Sequence, residues 1–389
     1  MSSKTPWSKQ HKKITRGAPL SFSNSFAQPL TMRELVELTE ARGDHALLDE
    51  FHLHALDYTP TGGSLDLRTT IAGFYGEQIS ADNILVFAGG QVALQTCACA
   101  LLTRADHAIV FTPGYQSVQQ APVFADAEVT SIRLKAEHGW QIQIAEVKAA
   151  IRSNTRYLVI NEPSNPAGSL MRPALQQQLV ALAERHSLHI MSDEVYRHLE
   201  HDPRTRLPAM ADIYARGISL CTMSKPWGAC GVTIGWLALQ DLKLKQQCID
   251  VLYFGSACPA RASELQSMMT LRASDAILSK NLAIIDRNMQ LLDVFFERYA
   301  HFFQWVRPTA GAVAFVKFSG PMSAAELAIQ LASAGISIKP AYVFTDPNDT
   351  NAVSAYRDYF RIGFGEACIP NVLAALQDFV EQHQQKWRA

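Results

Sequence analysis

One lysine of this chain sits where a charged amine is poorly placed. Lys225 lies in Cys221-Thr222-Met223-Ser224-Lys225-Pro226-Trp227-Gly228, between small hydroxyl residues and directly after the apolar stretch Gly217 to Leu220. Burial disfavours the ammonium form and lowers its pKa, and a neutral amine attacks an aldehyde. The plain alternative is a lysine in a surface loop. Four other segments weigh against that alternative. Phe87-Ala88-Gly89-Gly90-Gln91 sets two glycines between a strand-like and a helix-like run, which offers backbone N–H groups and a positive helix end to a phosphate. Asn161-Glu162-Pro163-Ser164-Asn165-Pro166-Ala167-Gly168 joins two asparagine turns held by prolines, which fixes side-chain amides in place. Asp193, in Ser192-Asp193-Glu194-Val195-Tyr196, ends another apolar run. A carboxylate there is costly to bury unless it meets a cation or hydrogen-bond donors. A protonated pyridine nitrogen would be such a partner, and a helix N-cap is the competing role. Arg361 stands inside Asp358-Tyr359-Phe360-Arg361-Ile362-Gly363-Phe364. Its planar fork matches a carboxylate, unless it faces solvent.

An amine for an aldehyde, a cradle for a phosphate, an acid for a ring nitrogen and a clamp for a carboxylate are together the parts of a pyridoxal 5′-phosphate (PLP) site acting on an amino acid. The elements that would position them follow from the apolar runs. Ile84–Phe87, Ala108–Thr112, Tyr157–Asn161, Leu188–Ser192, Gly217–Met223 and Gly235–Leu239 read as strands. Pro173 to His186 between two of them reads as a helix, with Pro173 in its first turn and Leu175, Leu179 and Leu182 on one face. This alternation gives an α/β architecture, a mostly parallel sheet covered on both faces, with ligands beyond the carboxyl ends of its strands.

The C-terminal third differs. Ala312–Phe318, Ile336–Lys339 and Tyr359–Phe364 read as strands, and Ser323 with Glu326 forms a capping box for a helix running to about Ala334. Pro370 to Gln385 reads as a closing helix, and Asp275 to Tyr299 as a long connecting one. The division expected is a large domain over 46–285. A smaller α+β domain would comprise 1–45 and 286–389, and its N-terminal segment would cover the substrate. A chain of 389 residues supports more than one core.

Composition narrows the function. The net charge is −1 and no basic stripe carries interleaved aromatics, so a nucleic-acid partner is not expected. Residues Met1 to Gly17 are polar and basic with no apolar run behind them. They read as a short flexible arm rather than a secretory signal, and no stretch is long and apolar enough to span a membrane. The seven cysteines show no Cys-x-x-Cys pair and no histidine at ligand spacing. Reduced thiols in a cytoplasm are expected, with no metal.

The segments together resemble the class I/II aminotransferase family, PLP-dependent enzymes of fold type I, in the right order from about Tyr58 to Phe364. The resemblance implies that Lys225 carries the cofactor and later shuttles the proton at the substrate Cα. Asp193 would pair with the pyridine nitrogen. Asn165 and Tyr196 would hydrogen-bond the ring hydroxyl oxygen, and Tyr115 would stack on the ring. Gly90, Gln91, Thr222 and Ser224 would hold the phosphate. Arg361 would clamp the substrate α-carboxylate, with Asn165 beside it. Tyr58 would reach the phosphate in a neighbouring subunit, which implies a homodimer with shared sites.

Two departures from the family pattern shape the expected reaction. An arginine eight residues after the lysine, another phosphate anchor, is replaced by Thr233. The N-terminal run Leu20 to Thr31, followed by Met32-Arg33-Glu34-Leu35, resembles the opening of capreomycidine synthase and related cyclases of arginine-derived amino acids. Ser23, Asn24 and Ser25 would then contact substrate, with Phe26 beside them. A weaker phosphate anchor harms an enzyme that keeps its cofactor covalently bound less than one that releases it each cycle. The sequence therefore favours Cα deprotonation followed by side-chain elimination and cyclisation, for example of a hydroxylated arginine in specialised metabolism. The alternative is a conventional aminotransferase passing its amino group to a 2-oxo acid.

Overall fold

The structure is a computed structural model that describes residues 5–256 and 258–388. A short strand, β1 (Leu20–Ser21), precedes the central sheet. That sheet contains β2 (Ile84–Phe87), β3 (His107–Thr112), β4 (Glu128–Arg133), β5 (Thr155–Asn161), β6 (His189–Asp193), β7 (Gly217–Thr222) and β8 (Gly235–Leu239). Their spatial order is β2-β8-β7-β6-β5-β3-β4. Neighbours from β7 through β4 pair in parallel, and β8 runs antiparallel to both β7 and β2. The sheet is thus mixed and mostly parallel. Six of its strands lie within a residue or two of the apolar runs that predict them. The seventh, β4, is missing from the sequence reading. It is an edge strand whose Glu128, Thr130, Ser131 and Arg133 are not buried, so it carries no apolar run.

Helices bury both faces of this sheet. On one, Leu94 and Cys97 of the helix Gly90–Leu101 pack with Leu85 and Val110. On the other, Leu179 and Leu182 of the helix Pro173–Arg185 pack with Ile109 and Ile190, and Pro173 occupies the first turn as expected. The helix Ser274–Arg298 then leads into the second sheet.

The second sheet orders β12 (Lys339–Pro340), β13 (Tyr359–Gly363), β10 (Val313–Phe318) and β9 (Phe303–Trp305), all antiparallel. Its core is aromatic. Phe303 lies 5.5 Å from Phe318, which lies 5.1 Å from Trp387 of the closing helix Ile369–Arg388. Each such buried ring contributes roughly 1.5–3 kcal/mol. The Ser323–Glu326 capping box opens the helix Ala324–Ser333. The expected strand Ile336–Lys339 is corrected: it splits between two sheets. β11 (Ile336–Ser337) pairs in parallel with β1, whereas Lys339 and Pro340 pair with β13.

The N-terminal arm is the larger correction. Residues Ser8–Ile14 form a helix, not a flexible tail. The Trp7 N–H donates to Gln116 Oε1 at 2.7 Å, and Trp7 and His11, four apart and so on one helix face, are both buried. Lys9, Lys12 and Lys13, which make this segment look like a solvated arm, occupy other positions of the same roughly two turns.

All seven cysteines are free. Cys97 is buried and Cys99 exposed, as their spacing of two in a helix requires. Among the described residues no helix is long and apolar enough to cross a membrane, and no group of three or more potential metal ligands occurs.

Candidate active site

Three neighbouring strands of the large sheet end side by side. Asn161 at the end of β5 is the register partner of Asp193 at the end of β6, and β7 ends at Thr222 on the far side. They open into a cavity of about 680 Å³ beyond the carboxyl ends of these strands. Gly90, Gln91, Tyr115, Asn165, Asp193, Tyr196, Thr222, Ser224, Lys225, Arg361 and Ser25, all expected at the site, line this one cavity.

Lys225 enters from the turn after β7, and its Nζ donates to Ser25 Oγ at 3.0 Å. Burial, followed by repulsion from Arg361, brings its pKa down from the ordinary 10.5 to about 8, against the opposing pull of Cys230 and Asp193. Asp193 is buried and accepts only a long bond, 3.3 Å, from the Val195 N–H. Burial lifts its pKa to about 7. Among the described residues it has no ion-pair partner within reach, so a cationic ring nitrogen would supply what the protein leaves out.

Asn161 is a residue that sequence reasoning passes over. Its Nδ2 donates to the Asp193 carbonyl at 2.9 Å, and its Oδ1 accepts from the Asn165 N–H at 2.6 Å. It thereby locks two strand ends together and aims Asn165. The prolines beside it, Pro163 and Pro166, follow cis peptide bonds. Asn165 Oδ1 accepts from Arg361 Nη1 at 3.1 Å, which leaves its amide nitrogen free to donate into the cavity. Burial pushes the Tyr196 hydroxyl up to about 12, so it stays a neutral donor.

Arg361 is fully buried in β13 and rests 5.1 Å over the ring of Phe344. Its Nη2 donates to the Ser23 carbonyl at 2.6 Å, and its Nε has no partner. This is an arginine held by neutral groups, with no carboxylate among the described residues paired to it. Ser23 therefore serves through its backbone. Asn24 does not line the cavity, because its amide donates to Glu366 Oε2 at 2.6 Å.

The glycines explain how the strap 22–30 comes so close. A Cβ on Gly363 would lie 1.7 Å from the Asn24 carbonyl oxygen, and one on Gly228 would lie 2.0 Å from that of Gln28. The Ala27 N–H donates to the Lys225 carbonyl at 3.0 Å. The strap thus ties the lysine turn to the arginine strand.

At the other end of the cavity the helix Gly90–Leu101 opens with its first N–H groups unused by the helix. A Cβ on Gly90 would lie 2.6 Å from Thr222 Cγ2, so only glycine keeps this cradle open. Thr222 Oγ1 and Ser224 Oγ lie 2.8 Å apart beside it. Gln91 Nε2 donates to the Tyr115 hydroxyl and to Ser117 Oγ, the latter at 3.0 Å. Thr233 lies near the start of this helix in a left-handed conformation, φ 56°. Tyr58 is 91% exposed and lines no part of the cavity of its own chain. Lys12 and Lys339 do line it. Neither was legible in the sequence, since only strand pairing and the N-terminal helix bring them there.

The donor set fits PLP: a poised amine, a buried acid without a cation, and a glycine cradle at a helix N-terminus. Lys225 would hold the aldehyde carbon, Asp193 the ring nitrogen, Asn165 and Tyr196 the ring hydroxyl, and Gly90, Gln91, Thr222 and Ser224 the phosphate.

Comparisons with known proteins agree. A PLP-dependent aminotransferase of Streptococcus suis superposes with a TM-score of 0.89 at 24% identity, covering 98% of this chain and 99% of that one. An aspartate aminotransferase of Thermotoga maritima gives 0.82 at 20% identity, covering 97% of each. These likenesses establish the α/β fold of type I. By sequence, the chain is 32% identical over 244 residues to the arginine–pyruvate transaminase of Pseudomonas aeruginosa, spanning 58% of this chain and 61% of that protein. It is 29% identical over 236 residues to a probable aspartate aminotransferase of Methanocaldococcus jannaschii, with the same two shares. The chain thus spans about six tenths of the length of these curated relatives. The pattern described as aminotransferase class I and II matches residues 54–366, most of the chain and every strand end of the site. The chain belongs to the class I and II aminotransferase family, enzymes that work with pyridoxal 5′-phosphate.

Proposed function

We propose that the protein transfers the amino group of an L-amino acid to a 2-oxo acid. The observation that carries this reading is the placement of Lys225 and Arg361 in one cavity. One is an amine that approaches neutrality at ordinary pH, and the other is a buried guanidinium with an unused N–H. The sequence favours elimination with cyclisation instead. That preference rests on Thr233 and on a short N-terminal likeness, whereas the relatives above are transaminases.

When bound, PLP supplies an aldehyde and a ring that withdraws electrons from the substrate Cα. The protein's own residues do the rest. Arg361 orients the substrate by its α-carboxylate, and Asn165 fixes the plane of that guanidinium through the bond to its Nη1. Lys225 Nζ, within reach of Ser25 Oγ, takes and returns the proton at Cα. Asp193 would hold the ring nitrogen protonated, since that charge pairing is the state its burial otherwise denies it.

Thr233 bears on how firmly the phosphate is held. A β-branched residue in the left-handed region is strained. Its Cγ2 lies 3.7 Å from where a Cβ on Gly89 would stand, beside the cradle. Thr233→Arg is expected to slow cofactor loss during dialysis by roughly tenfold, the gain from one charge-assisted hydrogen bond. Unchanged retention would mean that another cation already fills the role.

The active unit is a homodimer with shared sites in this reading. Leu53, Leu56 and Tyr58 are among the most exposed large apolar residues, together with Tyr253 and Phe254. The Thr59 Oγ1 bond to the Pro259 carbonyl, 2.7 Å, brings the two stretches together. Large exposed apolar side chains on these two segments support an interface there. Sedimentation at a single chain's mass would remove the dimer.

An ¹⁵N-labelled amino acid tests the transfer itself. The label is expected in a new amino acid made from an added 2-oxo acid. Label recovered only as ammonia, or in a cyclic product lighter than the substrate by one water, would favour elimination.

A further inference from the structure

One hydroxyl on the strap reaches the reactive lysine. Ser25 Oγ accepts from Lys225 Nζ at 3.0 Å, and among the described residues that amine makes no other hydrogen bond and no ion pair. A lysine amine rides on a flexible four-carbon stem and keeps one position only where something holds it. The charged and titratable groups around it give no such hold. Arg361 on β13 and Lys339 on β12 repel the ammonium, while Cys230 beyond the lysine turn and Asp193 at the end of β6 attract it without a direct bond. The backbone on either side of Ser25 is pinned. The Gly363 N–H donates to the Phe22 carbonyl at 2.7 Å, Arg361 Nη2 to the Ser23 carbonyl at 2.6 Å, and the Ala27 N–H to the Lys225 carbonyl at 3.0 Å. A Cβ on Gly365 would lie 2.2 Å from the Phe26 carbonyl oxygen. The hydroxyl is therefore placed from both sides. The buried Tyr196 hydroxyl lies near it and makes no hydrogen bond of its own.

The strap thus holds two working groups at once. The Ser23 carbonyl fixes the guanidinium that takes the substrate α-carboxylate. Two residues on, the Ser25 hydroxyl holds the amine that takes the proton from the carbon bearing that carboxylate. We propose that Ser25 is a positioning residue for proton transfer at Cα, keeping the Lys225 amine in fixed register with Arg361. This rests on the roles given to Lys225 and Arg361 in amino transfer. The hydroxyl suits both forms of the amine, because its oxygen accepts from the ammonium and its O–H donates to the neutral nitrogen. The bond to the ammonium is the stronger, being charge-assisted. Ser25 lies in the run Leu20 to Thr31, one of the two stretches where the chain departs from the family pattern.

The test is washout of deuterium from Cα, followed by mass with the PLP-loaded enzyme in ordinary water. The probes are Cα-deuterated L-alanine, L-glutamate, L-arginine and L-phenylalanine. Washout is expected with at least one of them, rising with pH through a midpoint at about 8, where Lys225 becomes neutral. Ser25→Ala is expected to slow it roughly 10- to 100-fold, the value of one hydrogen bond to a charged group, with cofactor absorbance retained. It should also move the midpoint to lower pH, because the ammonium loses its acceptor. Ser25→Thr, which keeps the hydroxyl, should restore both rate and midpoint. Washout from none of the four would overturn the inference, since there would be no proton transfer for Ser25 to serve. So would Ser25→Ala that leaves the rate unchanged, or that slows washout through cofactor loss or with an unmoved midpoint, as a merely loosened strap would. A threonine variant as slow as the alanine variant would also count against it. The two readings fail separately. Amino transfer with washout indifferent to Ser25 would sink this inference and leave transamination standing. Ser25-dependent washout without any amino transfer would do the reverse.

Discussion

Lys225→Ala is expected to lower turnover by on the order of 10⁴-fold or more, because one amine both holds the cofactor and moves the Cα proton. The variant should still fold. Lys225 is half-buried against a cavity, its side-chain hydrogen bond is to Ser25, and removing it relieves repulsion with Arg361. The same amine sets a pH dependence. Its pKa lies at about 8, below the ordinary 10.5, because burial and Arg361 both disfavour the charge. The neutral form therefore dominates above that value, and at pH 7 roughly a tenth of the enzyme already carries it. The rate at which apoenzyme captures PLP should rise from pH 6 to 8 and level off beyond. A rate that is flat over this range, or a variant that retains turnover, would show that another amine carries the chemistry.

Arg361→Lys should reduce kcat/KM by roughly 10²- to 10³-fold, although it keeps the charge. The guanidinium uses Nη1 on Asn165, Nη2 on the Ser23 carbonyl and its flat face on Phe344. A lysine has no plane to stack and cannot serve the strap and the substrate together. Loss is expected mostly in KM for the amino acid, with cofactor absorbance retained. A loss confined to kcat would point to a role at the reacting atoms instead.

The parts of this site that were readable from sequence are those carried by local signals. Lys225, Asp193 and Asn165 follow apolar runs, and the end of a parallel strand is where a ligand must sit. Gly90 announces itself by lying between a strand and a helix. Residues placed by long-range pairing gave no such signal. Lys339 reads as the polar end of one strand, and only its transfer to β13 sets it beside Arg361. Asn161 reads as the first residue of a turn, and its role depends on register with Asp193. The helix Ser8–Ile14 is short and crowded with lysines, which mask its buried His11 and the buried Trp7 just before it. Asn24 does not reach the cavity for a related reason: its partner, Glu366, lies at the far end of the chain.

The central claim is that the amino group leaves the substrate and stays with the enzyme until an acceptor arrives. Enzyme loaded with PLP should be mixed with a single L-amino acid, glutamate first, and no 2-oxo acid, and the 2-oxo acid formed should be counted per site. The result expected is about one equivalent, then a halt that ends when a second 2-oxo acid is added. Continued formation of product over many turnovers, with ammonia or water released and no acceptor present, would contradict it.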